Sequence, residues 1–412
     1  ESNSSFLIHD SVNTGLNILQ NNLLNVEKLL LETAISTSIK VNNDDIAYII
    51  FTSGSTGKPK GAIIEHQGML NHMYAKIADL NLTNKDVIAQ TATQCFDISI
   101  WQFLTGSCIG SKTIIYKNEL LFEVNLFLNQ IQKDRVTILE VVPSYLSILL
   151  EFLERTHLDL SDLRYVVVTG EELKKDLVDR WFKLYPFIKL VNAYGPTEAS
   201  DDITHCIMDK TPEHSSIPIG KPVQNMEIFI LDNYDNLCPI GAIGTIYVSG
   251  IGVGRGYINN EEQTKKVFIT KEIEGEKYSL YNTGDIGRWL VDGNIEFLGR
   301  KDHQVKIRGF RVETGEIENC LIRFDYIKRA VVKAVNVKND KVLCGYVILN
   351  EEYSEADITP ERVEKDLSNL LPPYMIPSLY MFLEEFPLTN NGKTDLKKLP
   401  VPNQLDTTLE RS

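Results

Sequence analysis

The sequence predicts an α/β protein: a large core with layered α/β and β-rich parts, followed by a small α+β lid. Three observations predict it. Short β-branched apolar runs alternate with stretches of helical spacing in the first half; the character turns β-rich from about residue 227; and a mixed pattern starts near residue 301. We divide the chain into a core over 1–300, with its β-rich part at about 220–300, a lid over 301–400 and a linker over 401–412. At 412 residues, 43% hydrophobic and 24% charged, the chain can hold more than one folding unit.

The first element is an apolar run at 46–50, expected to be a buried strand that delivers the loop 51–61. Further on, 136–142 and 163–169 read as strands and 145–153 as a helix. From Glu171, Leu173, Leu177, Val178, Trp181 and Tyr185 recur at helical intervals before a strand at 188–193. Strands follow at 227–231 and 245–249, then a hairpin of 288–291 and 294–298 turned by Asp292–Gly293. The lid shows a helix at 314–324, strands at 330–335 and 343–349, and a helix at about 360–370. The glycine-rich stretch 250–256 fails the dinucleotide fingerprint, because Arg255 stands where the third glycine belongs, and reads as a tight turn.

A net charge of −14 and the lack of a basic stripe argue against a nucleic-acid partner. Cys95, Cys108, Cys206, Cys238, Cys320 and Cys344 are scattered without a Cys-x-x-Cys pair, which indicates neither a zinc site nor a disulfide framework and fits a reducing cytoplasm. No apolar run is long enough to span a membrane, so no membrane partner is expected.

The most informative stretch is Phe-Thr-Ser-Gly-Ser-Thr-Gly-Lys-Pro-Lys-Gly at 51–61. Gly54, Gly57 and Gly61 permit tight turns and close approach of amides to an anion; Thr52, Ser53, Ser55 and Thr56 add hydroxyls, and Lys58 and Lys60 add charge. Such a loop suits polyphosphate, and its composition also suits a solvated loop. It is not the common nucleotide loop, since two residues rather than four separate its glycines and Pro59 follows Lys58.

The full string resembles the signature of the adenylate-forming superfamily. Further segments match in order: Asn192-Ala193-Tyr194-Gly195-Pro196-Thr197-Glu198, Tyr281-Asn282-Thr283-Gly284-Asp285, Gly299-Arg300-Lys301-Asp302, Gln304-Val305-Lys306-Ile307-Arg308-Gly309 and Asn391-Gly392-Lys393-Thr394-Asp395. The resemblance covers about residues 46–400 and is closest to the adenylation domain of a nonribosomal peptide synthetase, here N-terminally incomplete. Thr245, Leu396 and Phe297 depart from the family pattern without removing a group on which its chemistry depends.

That resemblance implies a mobile lid and a set of roles. Thr52 to Lys58, with Gly170 and Gly195, line the ATP site; Asn192 serves the adenine amino group and Tyr194 stacks on the base. Thr197 donates to the α-phosphate, Glu198 holds Mg²⁺, Asp285 accepts the ribose hydroxyls and Arg300 supports ribose and phosphate. Lys393 grips the substrate carboxylate and α-phosphate, and Asp302 is the hinge. Taken alone, Tyr194 also reads as a buried tyrosine, Glu198 as a solvated carboxylate, Asp285 as a turn residue, and Arg300, Asp302 and Lys306 as surface charges.

Asp97 reads from its surroundings as a helix cap, and by resemblance as the carboxylate that pairs with the substrate ammonium. The side-chain pocket falls on Ile98, Trp101, Glu140, Val167, Thr169, Ala193, Asp201 and Asp202. Glu140 lies in an apolar run, where burial without a cationic partner would be costly, so a short diamino acid is expected; a small polar substrate is the competing reading. The implied reaction is ATP-dependent formation of an aminoacyl adenylate with release of pyrophosphate, then transfer to the phosphopantetheine thiol of a peptidyl carrier domain, in cis or in trans, among other synthetase modules. The alternatives are an acyl-CoA ligase-like enzyme and a non-catalytic nucleotide-binding remnant.

Overall fold

The computed structural model describes residues 7–9, 23–31, 39–54, 59–302, 304–337, 340–354, 357–387 and 394–402. Its centre is a seven-stranded sheet in the order Lys221–Pro222, Thr204–Met208, Lys189–Tyr194, Tyr165–Val168, Ile138–Val141, Val87–Gln90, Lys112–Ile115. The last five strands are parallel, and Thr204–Met208 and Lys221–Pro222 join antiparallel. Ile138–Val141 and Tyr165–Val168 are buried at every position, as parallel strands covered on both faces must be.

Alternation of side chains divides this sheet between two cores. Leu139, Val141, Val166 and Val168 pack with Leu146, Leu150 and Trp181 from helices Pro143–Thr156 and Lys175–Leu184. Ile138, Val167, Val191 and Ala193 face the other way, onto Met73 and Leu80 beside helix His66–Asp79 and Trp101 of helix Ile98–Ile109. The second face carries the site.

The β-rich expectation holds. Met226–Leu231, Gly244–Gly250, Glu276–Trp289 and Phe268–Ile273 form an antiparallel sheet extended by Ile295–Arg300, and the hairpin turns through Asp292–Gly293. The glycine-rich stretch is a turn between strands Gly244–Gly250 and Gly256–Tyr257. One expectation needs correcting. Strand Ile46–Thr52 is a sheet edge with only Ile50 buried, because its single partner is the antiparallel Lys60–Glu65; Gly61 lies within that partner and not in the loop.

From Gln304 on, the chain builds its own apolar clusters. Hairpin Gln304–Ile307 and Phe310–Glu313 leads into helix Thr314–Leu321, and Ile327–Val337, Asp340–Leu349 and Leu379–Phe382 form a three-stranded sheet. Val312, Ile317, Leu321, Val347, Val363 and Leu367 fill its interior, the last two from helix Pro360–Ser368.

Candidate active site

The chain runs from Val87–Gln90 out to the edge strand Lys112–Ile115, then returns to Ile138–Val141 on the opposite side of Val87–Gln90. Such a reversal opens a crevice at the carboxyl ends of the strands, where α/β sheets bind ligands. Asp97 and Ile98 follow the first of these strands, and Glu140 sits near the end of the other. Glu140 pairs in register with Val167, and Val167 with Val191, so their side chains project from one face.

Gly195 fixes the far wall. A Cβ there would lie 1.7 Å from the Asp201 carbonyl oxygen, so only glycine lets the segment after strand Lys189–Tyr194 press against Asp201–Asp202. Ser200 and Asp201, both at positive φ, 65° and 76°, turn the chain back.

Glu198, the middle residue of the short helical turn Thr197–Ala199, is fully buried. It accepts from the Tyr257 hydroxyl at 2.5 Å and pairs with Arg311 Nη1 at 2.8 Å. Burial alone would raise its pKa, but the Arg311 charge and the Tyr257 hydrogen bond hold it at about 2. A buried carboxylate kept ionised by a cation fits the expected metal position, with Arg311 as its present counter-ion.

The nucleotide-side residues come together. Asn192 Nδ2 donates to Pro218 O at 2.8 Å, leaving its carbonyl oxygen for an amino group. Asp285 accepts from the Tyr194 hydroxyl at 2.5 Å and from Arg300 Nη1 at 2.7 Å. Arg300 also holds Asp302 with a fork, Nε and Nη2 at 2.7 and 2.8 Å. The expected stacking face of Tyr194 needs qualification: the ring is buried, packed toward Phe297 at 6.1 Å, so here it contributes its hydroxyl.

The loop meets the lid. Ser53 Oγ donates to the Arg311 carbonyl at 2.7 Å, Gly54 N to Glu316 Oε2 at 3.2 Å, and Lys60 Nζ to Glu313 Oε1 at 3.5 Å. Thr52 Oγ1 donates to Lys60 O across the hairpin. The Gly54 amide, expected to face phosphate, therefore holds a carboxylate of helix Thr314–Leu321, while Ser53 and Lys60 meet the hairpin before it. Ser55, Thr56, Gly57, Lys58 and Lys393 lie outside the described residues. Glu171 bridges core and lid by accepting from Ser144 N at 2.9 Å and Gly309 N at 2.8 Å, and Gly309 comes to rest against Gly170. A cleft of about 730 Å³ lined by Tyr257, Asn282, Arg300, Arg311 and Thr394 lies beside these contacts.

Asp97 serves as the cap of helix Ile98–Ile109, accepting from Ile98 N at 3.0 Å. Loss of solvent raises its carboxyl from the ordinary value, against the stabilising influence of Thr197 and the Ile98 amide. The cap reading holds.

The pocket residues Trp101, Val167 and Ala193 share one apolar cluster, with Ile98 packed against it, and Thr169 Oγ1 donates to Asp202 Oδ1 at 3.0 Å. The premise that Glu140 lacks a cationic partner is overturned. Lys76, fully buried, lies 3.1 Å from Glu140 Oε1 and 2.6 Å from Asp202 Oδ2. Trp101 Nε1 and Gln102 Nε2 donate to Glu140 Oε2 at 2.6 and 3.3 Å. Removing one partner of such a buried pair costs about 3–5 kcal/mol. Burial still raises Glu140, against the attraction of Lys76, to about 7, while the ammonium, opposing the effect of burial, holds Asp202 well below the carboxylate range. Asp201 is raised by burial and by Asp202.

Lys76, His72, Arg311, Tyr257 and Glu171 escaped the sequence reading. Lys76 had a signal: Gly68, His72, Ala75 and Lys76 make a helix face, and a lysine on a buried face calls for a partner. Arg311 had none beyond a charge in a β-hairpin.

The sequence pattern of AMP-binding enzymes matches residues 8–258, and that of the AMP-binding enzyme C-terminal domain matches 316–393. The chain belongs to the AMP-binding enzyme family. It is 37% identical over 386 residues to tyrocidine synthase 3 of Brevibacillus parabrevis, a stretch covering 93% of this chain and 6% of that one, so the chain spans only a small part of that relative's length. Its fold is similar to an o-succinylbenzoate CoA synthetase from Bacillus subtilis (TM-score 0.81, 22% identity, 96% of this chain and 78% of that one). It is also similar to an artificially fused adenylation-PCP di-domain nonribosomal peptide synthetase from Klebsiella oxytoca (TM-score 0.78, 24% identity, 92% and 74%). The recognition of the chain as an AMP-binding, adenylate-forming enzyme of the kind found in peptide synthases is borne out. Among the described residues no helix is long and apolar enough to cross a membrane.

Proposed function

We propose that this AMP-binding enzyme activates an amino acid with ATP and passes it to the phosphopantetheine thiol of a peptidyl carrier domain, in cis or in trans. The observation that carries the reading is the place of Asp97 at the crevice beyond strand Val87–Gln90, where it caps helix Ile98–Ile109 and interacts with Thr197, the expected donor for the α-phosphate. An acyl-CoA ligase has no use for that carboxylate.

In the first half-reaction a substrate carboxylate oxygen attacks the α-phosphorus, the bond from that phosphorus to the departing pyrophosphate breaks, and the acyl adenylate remains. Positioning and electrostatics supply most of the acceleration. Asp97 orients the ammonium, Thr197 donates to the phosphate, Asp285 with Arg300 holds the ribose, and Lys393 neutralises developing charge. Mg²⁺, held by Glu198, would screen the phosphate oxygens.

The lid then turns about Asp302. Its hairpin face at the site, with Arg311 on Glu198 and Gly309 on Glu171, suits the second half-reaction, in which the thiol displaces AMP. The carrier partner is supported by the likeness to an adenylation-PCP fusion.

For the substrate side chain we favour a short diamino acid. Three carboxylates, Glu140, Asp201 and Asp202, meet one resident ammonium, and Asp201 Oδ2 is buried without a hydrogen bond. Asp201 takes over the anchoring role that the sequence suggested for Glu140. Exchange of labelled pyrophosphate into ATP tests the reading: stimulation by 2,4-diaminobutyrate above threonine or leucine supports it. No stimulation by any amino acid sinks the activity, and a preference for leucine sinks the substrate class.

A further inference from the structure

We infer that Lys76 determines substrate length: it is a resident ammonium that fills the far end of the side-chain pocket, so the substrate side chain stops at Asp201. The inference rests on the activity proposed above and adds a residue outside the pocket set read from the sequence.

The geometry leaves little choice. Lys76 comes from helix His66–Asp79, and its Nζ sits between Glu140 and Asp202 and 4.9 Å from the Trp101 ring centroid. Those three side chains are the polar and aromatic floor expected to greet a substrate. Glu140 has both oxygens engaged, by Lys76 on one side and by Trp101 and Gln102 on the other. Asp202 accepts from Thr169 on one oxygen and faces Lys76 with the other. The floor is closed by the Lys76 ammonium, which already occupies the position between Glu140 and Asp202 that the terminal group of a longer substrate would need.

Asp201 differs. Its nearest partner among the ionisable side chains is the neutral His72, Nδ1 at 3.7 Å, and neither Asp201 Oδ2 nor His72 Nε2 makes a hydrogen bond. A substrate donor that reaches Asp201 satisfies a buried acceptor; one that would reach Glu140 meets Lys76 first. Charge and length are therefore read by two residues, Asp201 for the charge and Lys76 for the length.

Pyrophosphate exchange with 2,3-diaminopropionate, 2,4-diaminobutyrate, ornithine and lysine tests this in the wild type and in Lys76→Ala. The wild type should favour the shorter pair. Lys76→Ala should move relative kcat/KM toward ornithine and lysine by roughly tenfold or more, because their terminal ammonium can replace Nζ between Glu140 and Asp202. The double variant Lys76→Ala/Glu140→Gln, which removes one charge of each sign and leaves Asp202 to receive the ammonium, should show the same shift and covers misfolding of the single variant. Ethylammonium added to Lys76→Ala should restore the preference for shorter substrates. An unchanged rank order in a folded variant overturns the inference while leaving the activity intact. No amino-acid-dependent exchange in the wild type overturns the activity itself and the inference with it.

Discussion

Arg311 Nη1 lies 2.8 Å from Glu198 Oε2, so a lid guanidinium occupies the carboxylate that the family pattern assigns to magnesium. Two cations cannot share that buried oxygen at full strength, so Mg²⁺ bound at Glu198 would be coupled to this lid position.

Arg311→Ala should therefore lower the Mg²⁺ concentration for half-maximal pyrophosphate exchange, by roughly fivefold, the small end of site-to-site couplings. Loading of a carrier thiol should slow. A metal titration of exchange, paired with a single-turnover transfer assay, separates the two effects; an unchanged metal midpoint would show that Arg311 does not compete.

Gly309 is the second lid contact to probe. It sits at φ 80°, and a Cβ would approach Val142 Cγ1 to 2.5 Å. Gly309→Ala adds about 1–2 kcal/mol of backbone strain to that clash. Thiol transfer should fall about tenfold, while exchange, run with the lid elsewhere, stays near wild type. Adding Val142→Ala should recover part of the transfer rate, since it removes the clash and leaves the strain.

Asp302 is held by both arms of Arg300, at 2.7 and 2.8 Å. Paired charge-assisted bonds of this kind fix orientation as well as distance. Asp302→Ala frees the hinge and releases Arg300 from one of its two carboxylates. Transfer should drop more than exchange, by roughly an order of magnitude, as expected where a hinge sets the rate. Equal losses in both assays would place the effect on Arg300 and the nucleotide instead.

The pocket predicts opposite pH signatures. His72 faces Asp201, Asp202, Lys76 and His205, and burial lowers its pKa from 6.5 to about 4. The unfolded chain then binds the proton first, so stability falls as pH drops from 6.5 to 4. Glu140, raised from 4.5 to about 7, contributes stability that is complete below 4.5 and lost as pH rises to 7. Relative to wild type, His72→Gln should gain as pH falls through the first window and Glu140→Gln as pH rises through the second, each by on the order of 3 kcal/mol. Urea unfolding at several pH values measures both, and differences that stay flat would contradict the assignment.

The sequence by itself determined the order of motifs and the alternation of strands and helices. Asn192 to Glu198 runs from a strand end into a short helical turn and Thr283 to Asp285 lies within a strand, and both are contiguous stretches whose spacing could be read directly. That Glu140 and Val167 share one face came from the register between their strands and not from the sequence. Asp97 was legible as a helix cap from its neighbours, and the anchor role came from the resemblance.

Only the tertiary structure decided where charge is balanced. Lys76 and Glu140 are 64 positions apart, and Arg311 and Glu198 are 113 apart. No local pattern pairs them, since an ion pair depends on distance in space and on the exclusion of water. A carboxylate in an apolar strand announces that it needs a cation; whether helix His66–Asp79 or a substrate supplies it is settled by packing.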